Sequence, residues 1–267
     1  MQTVSLKKTA LILLTITMFI ACSESPTGRN QLTLIPDGRM AALGENAFDE
    51  MKRSKPVVDD PRINRYVQCI TDKLITQLPG EQPGWEVTVF QDATPNAFAL
   101  PGGNIGVHTG MLKIAQTPDQ LAAVIGHEIG HVLADHGNER LTQQLGVSVV
   151  FFLVNLFFDE PGSIEQEVLL RTLGIGTQVG VLLPFSRAHE READILGLEL
   201  MSRVGFDPAE SVRLWQNMAQ RSRGQPMEFL STHPSHESRI EKLSEEVDYY
   251  DKLYQKALDE GRNPQCG

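Results

Sequence analysis

The stretch 117–137, TPDQLAAVIGHEIGHVLADHG, combines the signals of a helix start with regularly spaced apolar residues. Thr117 fits an N-cap, a proline follows in the first turn, and Gln120 completes a capping box. The apolar residues after it recur every three or four positions, as they do on the buried face of a helix. Gly137 fits the C-cap. We therefore predict a single helix over residues 118–136.

Two histidines and a glutamate lie in the middle of this helix, in the order His127-Glu128-Ile129-Gly130-His131. Residues four apart share a helical face, with Cβ atoms about 5–6 Å apart, so His127 and His131 can bind one Zn²⁺ ion. Glu128 lies off that line and is suited to act as a general base on water rather than as a ligand. The sequence therefore predicts a zinc site with a catalytic glutamate beside it.

A catalytic zinc ion needs a third protein ligand, and the chain downstream offers one. His136 lies only five residues after His131, which does not fit the spacing of an extended metzincin site. Glu190 and Asp194 lie one turn apart on a second predicted helix, which begins at about Ala188. Glu190 can bind the metal, and Asp194 can accept a hydrogen bond from a ligand imidazole and fix its tautomer.

The other ionisable residues near these motifs carry weaker signals. Glu192 and His189 lie on other faces of the second helix, so we do not expect them at the metal. We interpret His189 as a partly exposed structural residue. His136 and His236 are expected at the surface.

Four sequence blocks occur in an order that resembles a known enzyme family. They are HEIGH at 127–131, SRxxExEAD at 186–194, NAFALPGG at 96–103, and the HP dipeptide at 233–234 with Arg239. Together they resemble peptidase family M48, a family of zinc metalloendopeptidases. NAFALPGG is similar to the family's strand before the zinc helix, and the last block is similar to its HPxxxxR segment.

This resemblance extends over residues 27–250 and is to the branch of BepA- and LoiP-like periplasmic lipoproteins. It implies one Zn²⁺ per chain with Glu190 as third ligand, and hydrolysis of peptide bonds by zinc-activated water with Glu128 as general base. His233 and Arg239 are candidates to stabilise the oxyanion of the transition state. Alternatively, His233 is a fourth zinc ligand that closes the site and makes the enzyme self-inhibited.

The strand before the zinc helix is a candidate for holding substrate. Asn96, Ala97, Phe98 and Ala99 could pair with an extended peptide by β-addition, in which backbone hydrogen bonds give affinity with little sequence preference. The alternative interpretation is a plain hairpin edge.

The first residues have the features of a secretion signal. Two lysines precede an almost wholly apolar run, 9–21, which is too short to span a bilayer comfortably. FIAC at 19–22 resembles a bacterial lipobox, a signal in which the cysteine is acylated. We therefore expect a lipid on Cys22 that anchors the protein in the bacterial periplasm, at the outer membrane.

The chain is predicted to have three parts: a signal peptide at 1–21, a tether at 22–37, and an M48-like zinc metalloprotease domain at 38–267. Cys69 and Cys266 could form a disulfide bond in an oxidising compartment, and the alternative is two unpaired thiols. The apolar stretch 145–185 is interpreted as buried helices or a helical hairpin over the site, with a surface that dips into a membrane as the alternative. Its role as a lid, an oligomer contact or a membrane contact stays open.

Composition sets limits on the fold and on the partners. The chain has 267 residues, a formal net charge of −10 and an ordinary globular composition. This acidic balance argues against a nucleic-acid partner, because phosphate binding needs clustered Lys and Arg. We predict an α+β, mostly helical fold with a single catalytic domain, in which the zincin-type HExxH helix packs against a small antiparallel sheet. The oligomeric state stays open.

Two hypotheses for function follow. The first is a zinc-dependent endopeptidase for protein quality control, which cleaves misfolded or unassembled envelope proteins. The second is a chaperone-like outer-membrane assembly factor with a mainly structural zinc ion. Glu128 favours the first hypothesis, since a purely structural site has no need of a general base beside the metal.

Overall fold

The computed structural model describes residues 22–78, 80, 84–157, 185–221, 228–233 and 237–266. Its strands are β1 (Cys22–Glu24), β2 (Asn30–Leu32), β3 (Glu86–Phe90), β4 (Ala97–Leu100) and β5 (Asn104–His108). Its helices are α1 (Asp37–Ser54), α2 (Pro61–Ile75), α3 (Thr109–Leu112), α4 (Pro118–Leu133), α5 (His136–Phe157), α6 (Arg187–Val204), α7 (Ala209–Arg221), α8 (Glu228–Thr232) and α9 (Glu237–Asp259). The predicted α+β, mostly helical fold is confirmed.

These residues fall into two compact units, 22–36 with 137–157 and 37–136 with 185–266. In the first unit, β1 and β2 form an antiparallel hairpin within the range predicted as a tether. The hairpin is joined to α5 by an ion pair of 2.7 Å between Arg29 and Glu139. The predicted signal peptide lies outside the described residues, as does most of the apolar stretch 145–185.

The second unit contains a three-stranded sheet with the order β3-β5-β4. β5 is antiparallel to β4 but parallel to β3, with Glu86 opposite Asn104, so the expectation of a purely antiparallel sheet was wrong. The tight turn between β4 and β5, where Gly102 and Gly103 have φ angles of 93° and 86°, makes that pair antiparallel. The parallel pair arises because β5 lies between β3 and β4, which run in opposite directions and do not pair with each other.

The hydrophobic core of this unit lies between the sheet and the helices. Many of its fully buried side chains come from α2, the sheet and α4, and these include Val67, Ile70, Leu74, Ile105, Val107, Leu121, Ile125 and Ile129. Helix α4 is therefore buried along most of its length, with one side against the sheet and α2 and the other against α6.

Helices α4 and α6 cross at unusually close range. A Cβ atom placed on Gly197 of α6 would lie 2.9 Å from the backbone nitrogen of His127. One placed on Gly130 of α4 would lie 2.8 Å from the carbonyl oxygen of Ala193. Only glycine allows the two backbones to approach this closely. The crossing therefore fixes the distance between the two predicted sets of metal ligands.

Helix α4 begins as predicted but ends earlier. Thr117 Oγ1 accepts a hydrogen bond of 3.1 Å from the Gln120 backbone, while Gln120 Oε1 accepts one of 2.8 Å from the Gln116 backbone. The helix ends at Leu133, and Asp135 has a φ angle of 51°. Aspartate tolerates this left-handed conformation better than most residues, so the chain breaks there instead of at Gly137.

A disulfide bond joins Cys69 on α2 to Cys266 near the chain end, with 5.7 Å between the Cα atoms. The sequence separation of the two cysteines is 197 residues. The bond therefore fixes the segment after α9 against α2. Among the described residues, no helix has the length and apolarity that a membrane crossing requires.

Candidate metal centre

Four buried side chains bring their donor atoms together in the second unit. They are His127 and His131 from α4, Glu190 from α6, and His233 directly after α8. One ligand atom from each lies within 4.8 Å of every other. The three residues predicted as zinc ligands thus lie side by side, and His233 joins them.

Four of the six separations between these atoms are close to the edge length of a coordination tetrahedron. Ligand atoms at 2.0–2.1 Å from a tetrahedral zinc ion lie about 3.3–3.4 Å from one another. Here His131 Nε2 lies 3.1 Å from His127 Nε2, and His233 Nδ1 lies 3.2 Å from that same nitrogen. Glu190 Oε1 lies 3.4 Å from His131 Nε2 and 3.1 Å from His233 Nδ1. Three imidazole nitrogens and one carboxylate oxygen are a donor set that zinc accepts.

Local structure explains how these donors meet. His127 and His131 are one helical turn apart on α4, so they share a face. Glu190 lies in the first turn of α6, which Ser186 caps by accepting a hydrogen bond of 3.2 Å from the His189 backbone. The backbone N–H of His233 donates to Phe229 at 2.8 Å, which holds the ring at the end of α8.

Asp194 and Arg239 support His127 from behind. His127 Nδ1 lies 3.0 Å from Asp194 Oδ1, so the nitrogen not facing the other donors has an acceptor. Arg239 donates to both carboxylate oxygens of Asp194 at 2.7 Å, donates also to Glu190, and lies 3.8 Å from the ring centre of Trp215. Its Nη2 atom also lies 3.2 Å from Nδ1 and 3.4 Å from Nε2 of His127, so Arg239 sits beside the donor set as a buried counter-charge.

Electrostatics in this cluster follow from the pairing of buried charges. Burial alone would raise the pKa of Glu190, but hydrogen bonds from His131 and His233 together lower it below its usual range. Burial likewise opposes ionisation of Asp194, and the nearby Arg239 guanidinium lowers its pKa instead. Both carboxyl groups are therefore ionised near neutral pH.

Glu128 is buried beside the donors but does not join them. Its Oε1 atom lies 3.6 Å from His233 Nε2, and the backbone of Ala99 on β4 donates a hydrogen bond to its carboxylate. Burial is the main influence on Glu128, and it raises the pKa of this carboxyl group. A carboxylate with a raised pKa, next to a metal site and a strand edge, is suited to accept and return a proton.

A family model supports what this geometry indicates. The model for Peptidase family M48 matches residues 61–247, well over half of the chain. The chain belongs to peptidase family M48. All four donor residues and Glu128 lie within the matched range.

Curated relatives of this M48 chain carry peptidase names. Mitochondrial metalloendopeptidase OMA1 of Schizosaccharomyces pombe is 39% identical over 182 residues, covering 67% of this chain and 52% of the relative. OMA1 of Arabidopsis thaliana is 31% identical over 227 residues, covering 84% of this chain and 45% of the relative. The beta-barrel assembly-enhancing protease of Yersinia pestis is 29% identical over 217 residues, covering 78% and 43%.

The M48 chain thus spans about half the length of the curated relatives it matches. The names support a metalloendopeptidase of family M48. They do not single out the periplasmic lipoprotein branch, because relatives named as mitochondrial are among the matches. The expected lipid on Cys22 and the expected outer-membrane location stay predictions.

Sequence reasoning misplaced two histidines of the M48 site. His136, expected at the surface, has an exposed fraction of 0%, and His189, expected to be partly exposed, is also buried. The two rings stack with centroids 4.4 Å apart. The early end of α4 accounts for the error at His136, since a continuous helix would have carried it to another face. No local sequence pattern indicated this break. His236 lies outside the described residues.

The predicted substrate strand lies next to the metal centre. Ala97 and Ala99 are on one face of β4, and Ala99 reaches Glu128. Phe98 is on the other face, where its ring stacks on Phe90 at a centroid distance of 6.1 Å. Asn96 precedes the strand, and its carbonyl accepts a hydrogen bond of 2.9 Å from the His108 backbone. Among the described residues β4 pairs only with β5, so its other edge is a candidate for peptide addition.

Proposed function

We propose that this M48 chain is a zinc-dependent endopeptidase whose ion is held by His127, His131 and Glu190. The observation that carries this proposal is a buried, closely spaced set of four donors with the Glu128 carboxylate beside it. Zinc bound there would supply a Lewis acid, which polarises a peptide carbonyl group and makes water more acidic.

The residues of the chain supply the proton transfer and the alignment. Glu128 takes a proton from the attacking water and returns it to the leaving amine, a role that general bases near metals fill. A peptide added to the edge of β4 would pass beside this carboxylate, since Ala99 of that strand already donates to it. Arg239 is held by Asp194 and Glu190, which favours a role in positioning over a direct one at the oxyanion.

His233 has two candidate roles, and the distances favour one of them. Its Nδ1 atom lies at 3.1–3.2 Å from Glu190 Oε1 and His127 Nε2, as a fourth donor would. A fourth protein donor occupies the position that a catalytic zinc ion keeps open for water. We propose that His233 closes the site at rest and leaves it when substrate binds. Stabilisation of the oxyanion by His233 is the alternative.

The substrates we propose are misfolded or unassembled envelope proteins, at an outer membrane to which a lipid on Cys22 attaches the protein. The assembly-enhancing names of several relatives support this class of substrate, although other relatives are named as mitochondrial. β-Addition fits such substrates, because an unfolded segment offers a free backbone edge and little defined sequence.

The enclosed donor set also favours a second candidate function. Structural zinc sites have four protein ligands and no open position. With His233 as fourth ligand, the chain could be a chaperone-like assembly factor whose zinc is mainly structural.

The decisive experiment compares Glu128→Gln with the wild-type protein, both purified with zinc. We measure cleavage of casein and of an unfolded outer-membrane protein, together with zinc content and suppression of aggregation. The peptidase proposal expects a loss of cleavage by a factor of about 10²–10⁴ with unchanged zinc content. Equal cleavage by both proteins, or none by either while both suppress aggregation, would contradict it.

His233→Ala decides between the two roles of His233 in the same assay. Faster cleavage than the wild type supports closure of the site at rest. Slower cleavage supports a role at the oxyanion, for which loss of one donor costs a factor of about 10²–10³.

A further inference from the structure

The second histidine of the zinc motif is supported by a pair of residues that the motifs did not assign. Behind His131, the ring of His136 lies with its Nδ1 atom 2.9 Å from His131 Nδ1. On its other side, His136 Nε2 lies 3.0 Å from Glu192 Oε2. We propose that His136 and Glu192 are positioning residues, which fix the tautomer and orientation of His131 through a relay of two hydrogen bonds.

Hydrogen-bond chemistry sets the direction of the relay. His131 faces the other donors with Nε2, so a neutral His131 ligand carries its proton on Nδ1. That N–H needs an acceptor, and His136 Nδ1 is at hydrogen-bond distance. His136 must therefore carry its own proton on Nε2, from which it donates to the Glu192 carboxylate. With the metal on His131 Nε2, this is the one arrangement of protons that allows both hydrogen bonds to form.

Burial gives the relay its strength. His136 has an exposed fraction of 0%, and Glu192 and His131 are buried as well. Hydrogen bonds in such surroundings are stronger than in water, and successive bonds polarise one another. A carboxylate at the end of the chain makes the His131 ring a better electron donor, as carboxylate partners of metal-binding histidines do.

The break after α4 brings His136 to this position. In a continuous helix, residues five apart lie about 140° apart around the axis, too far for their rings to meet. Because Asp135 adopts a left-handed conformation, the chain turns and places the His136 ring under His131 instead. The ring of His189, stacked on His136, holds it from the far side.

Acidic residues of α6 thus support both His127 and His131, but in different ways. Asp194 accepts directly from His127 and is neutralised by Arg239, whereas Glu192 reaches His131 through an imidazole. This inference rests on the proposed zinc site, since it assigns a function to the outward nitrogen of a proposed ligand. It goes beyond that proposal by naming the residues that orient His131.

The first test measures zinc affinity of the full protein by competition with a chromogenic chelator. We expect His136→Leu to weaken zinc binding by about 10–100-fold, the usual cost of losing such a partner. His136→Asn should lose clearly less affinity than His136→Leu, because its amide oxygen can accept from His131 Nδ1 although it does not continue the relay to Glu192. His108→Leu is the matched control: His108 is equally buried but lies against Phe90 and Phe98, away from the metal centre, so its affinity should match the wild type.

Either of two results would overturn the proposal. One is a loss of less than tenfold in His136→Leu, and the other is a loss in His136→Asn as large as that in His136→Leu. Glu192→Gln is the second variant, used if His136→Leu does not fold. This change keeps a hydrogen-bond acceptor at position 192 but removes its charge. An unchanged zinc affinity would refute the electronic part of the relay.

A second measurement needs no variant. In wild-type protein with ¹⁵N-labelled histidine and bound zinc, the nitrogen shifts should identify His136 as the Nε2-protonated tautomer and show a slowly exchanging proton on His131 Nδ1. A His136 ring protonated at Nδ1 would refute the relay even if the protein binds zinc and cleaves casein. A wild-type protein that binds no zinc would instead overturn the proposed function, and the zinc-binding assay separates that result from a failure of the relay alone.

Discussion

At the scale of single residues, most of the metal centre could be predicted from the sequence. The spacing of His127 and His131 follows from helix geometry alone, and resemblance to a family supplied Glu190. The burial of His136 was predicted wrongly, because its position depends on the backbone torsion of Asp135. No local sequence pattern indicated that torsion. Residues in regular structure could be predicted from spacing, whereas a residue placed by a chain break could not.

Arg239 provides a prediction at this scale. Arg239→Leu leaves two buried carboxylates, Glu190 and Asp194, without their counter-charge, which costs about 3–5 kcal/mol of unfolding free energy in the metal-free protein at neutral pH. With zinc bound the cost should be smaller, because the ion supplies positive charge. Urea unfolding with and without zinc measures both values.

The same variant should show a defined pH dependence. In the wild type, Arg239 lowers the pKa of Asp194, so this carboxyl group stabilises the fold above its unfolded pKa, and that stability is lost as pH falls through the folded pKa. Since Arg239→Leu lacks this contribution, its deficit should shrink in acid. Arg203→Leu is the control, because Arg203 is exposed and pairs only with Glu199 across one turn among the described residues; it should cost less than about 1 kcal/mol. A deficit independent of pH would contradict the assignment.

At the scale of secondary-structure elements, helices were predicted more reliably than the sheet. The residue patterns located α4 and the start of α6 to within three residues. The strand order β3-β5-β4 could not be read in this way, because pairing between β3 and β5 is a long-range contact that alternation does not encode. The glycines of the α4–α6 crossing were likewise recognisable only once both helices were in place.

Those glycines give the prediction at this scale. Gly197→Ala forces a methyl group against the His127 backbone, so we expect a loss of about 1–3 kcal/mol in unfolding free energy and weaker zinc binding. Gly146→Ala on α5 is the matched control, since nothing lies within 4 Å of its Cβ position. There the same change should stabilise the protein by about 0.5–1 kcal/mol, because alanine favours helix. Effects of equal sign at the two positions would contradict close packing as the cause.

At the scale of the whole molecule, the disulfide bond is the longest-range covalent constraint described. Its two cysteines are separated by 197 residues, and sequence could name the pair but not the distance between them. Such a bond acts largely on the unfolded chain, by removing conformations that the folded state never uses.

Reduction of this bond should lower stability substantially. For a loop of this length, chain entropy predicts a loss of about 5 kcal/mol in the free energy of unfolding, as an upper figure. Urea unfolding of wild-type protein and of Cys69→Ser/Cys266→Ser, each with and without reductant, measures it. Reductant should affect only the wild type. An unchanged urea midpoint in the double variant would show that native contacts alone fix the segment after α9.

The acidic residues at every second position of α6 determine when the metal site becomes complete. Glu190, Glu192 and Asp194 each serve a different imidazole, so the docking of a single helix completes the ligand set, the relay and the Arg239 pairing together. A nascent chain in which α6 has not yet packed holds only two unsupported histidines. Such a chain binds metal poorly, so under the proposed function peptidase activity would arise only after α6 has packed.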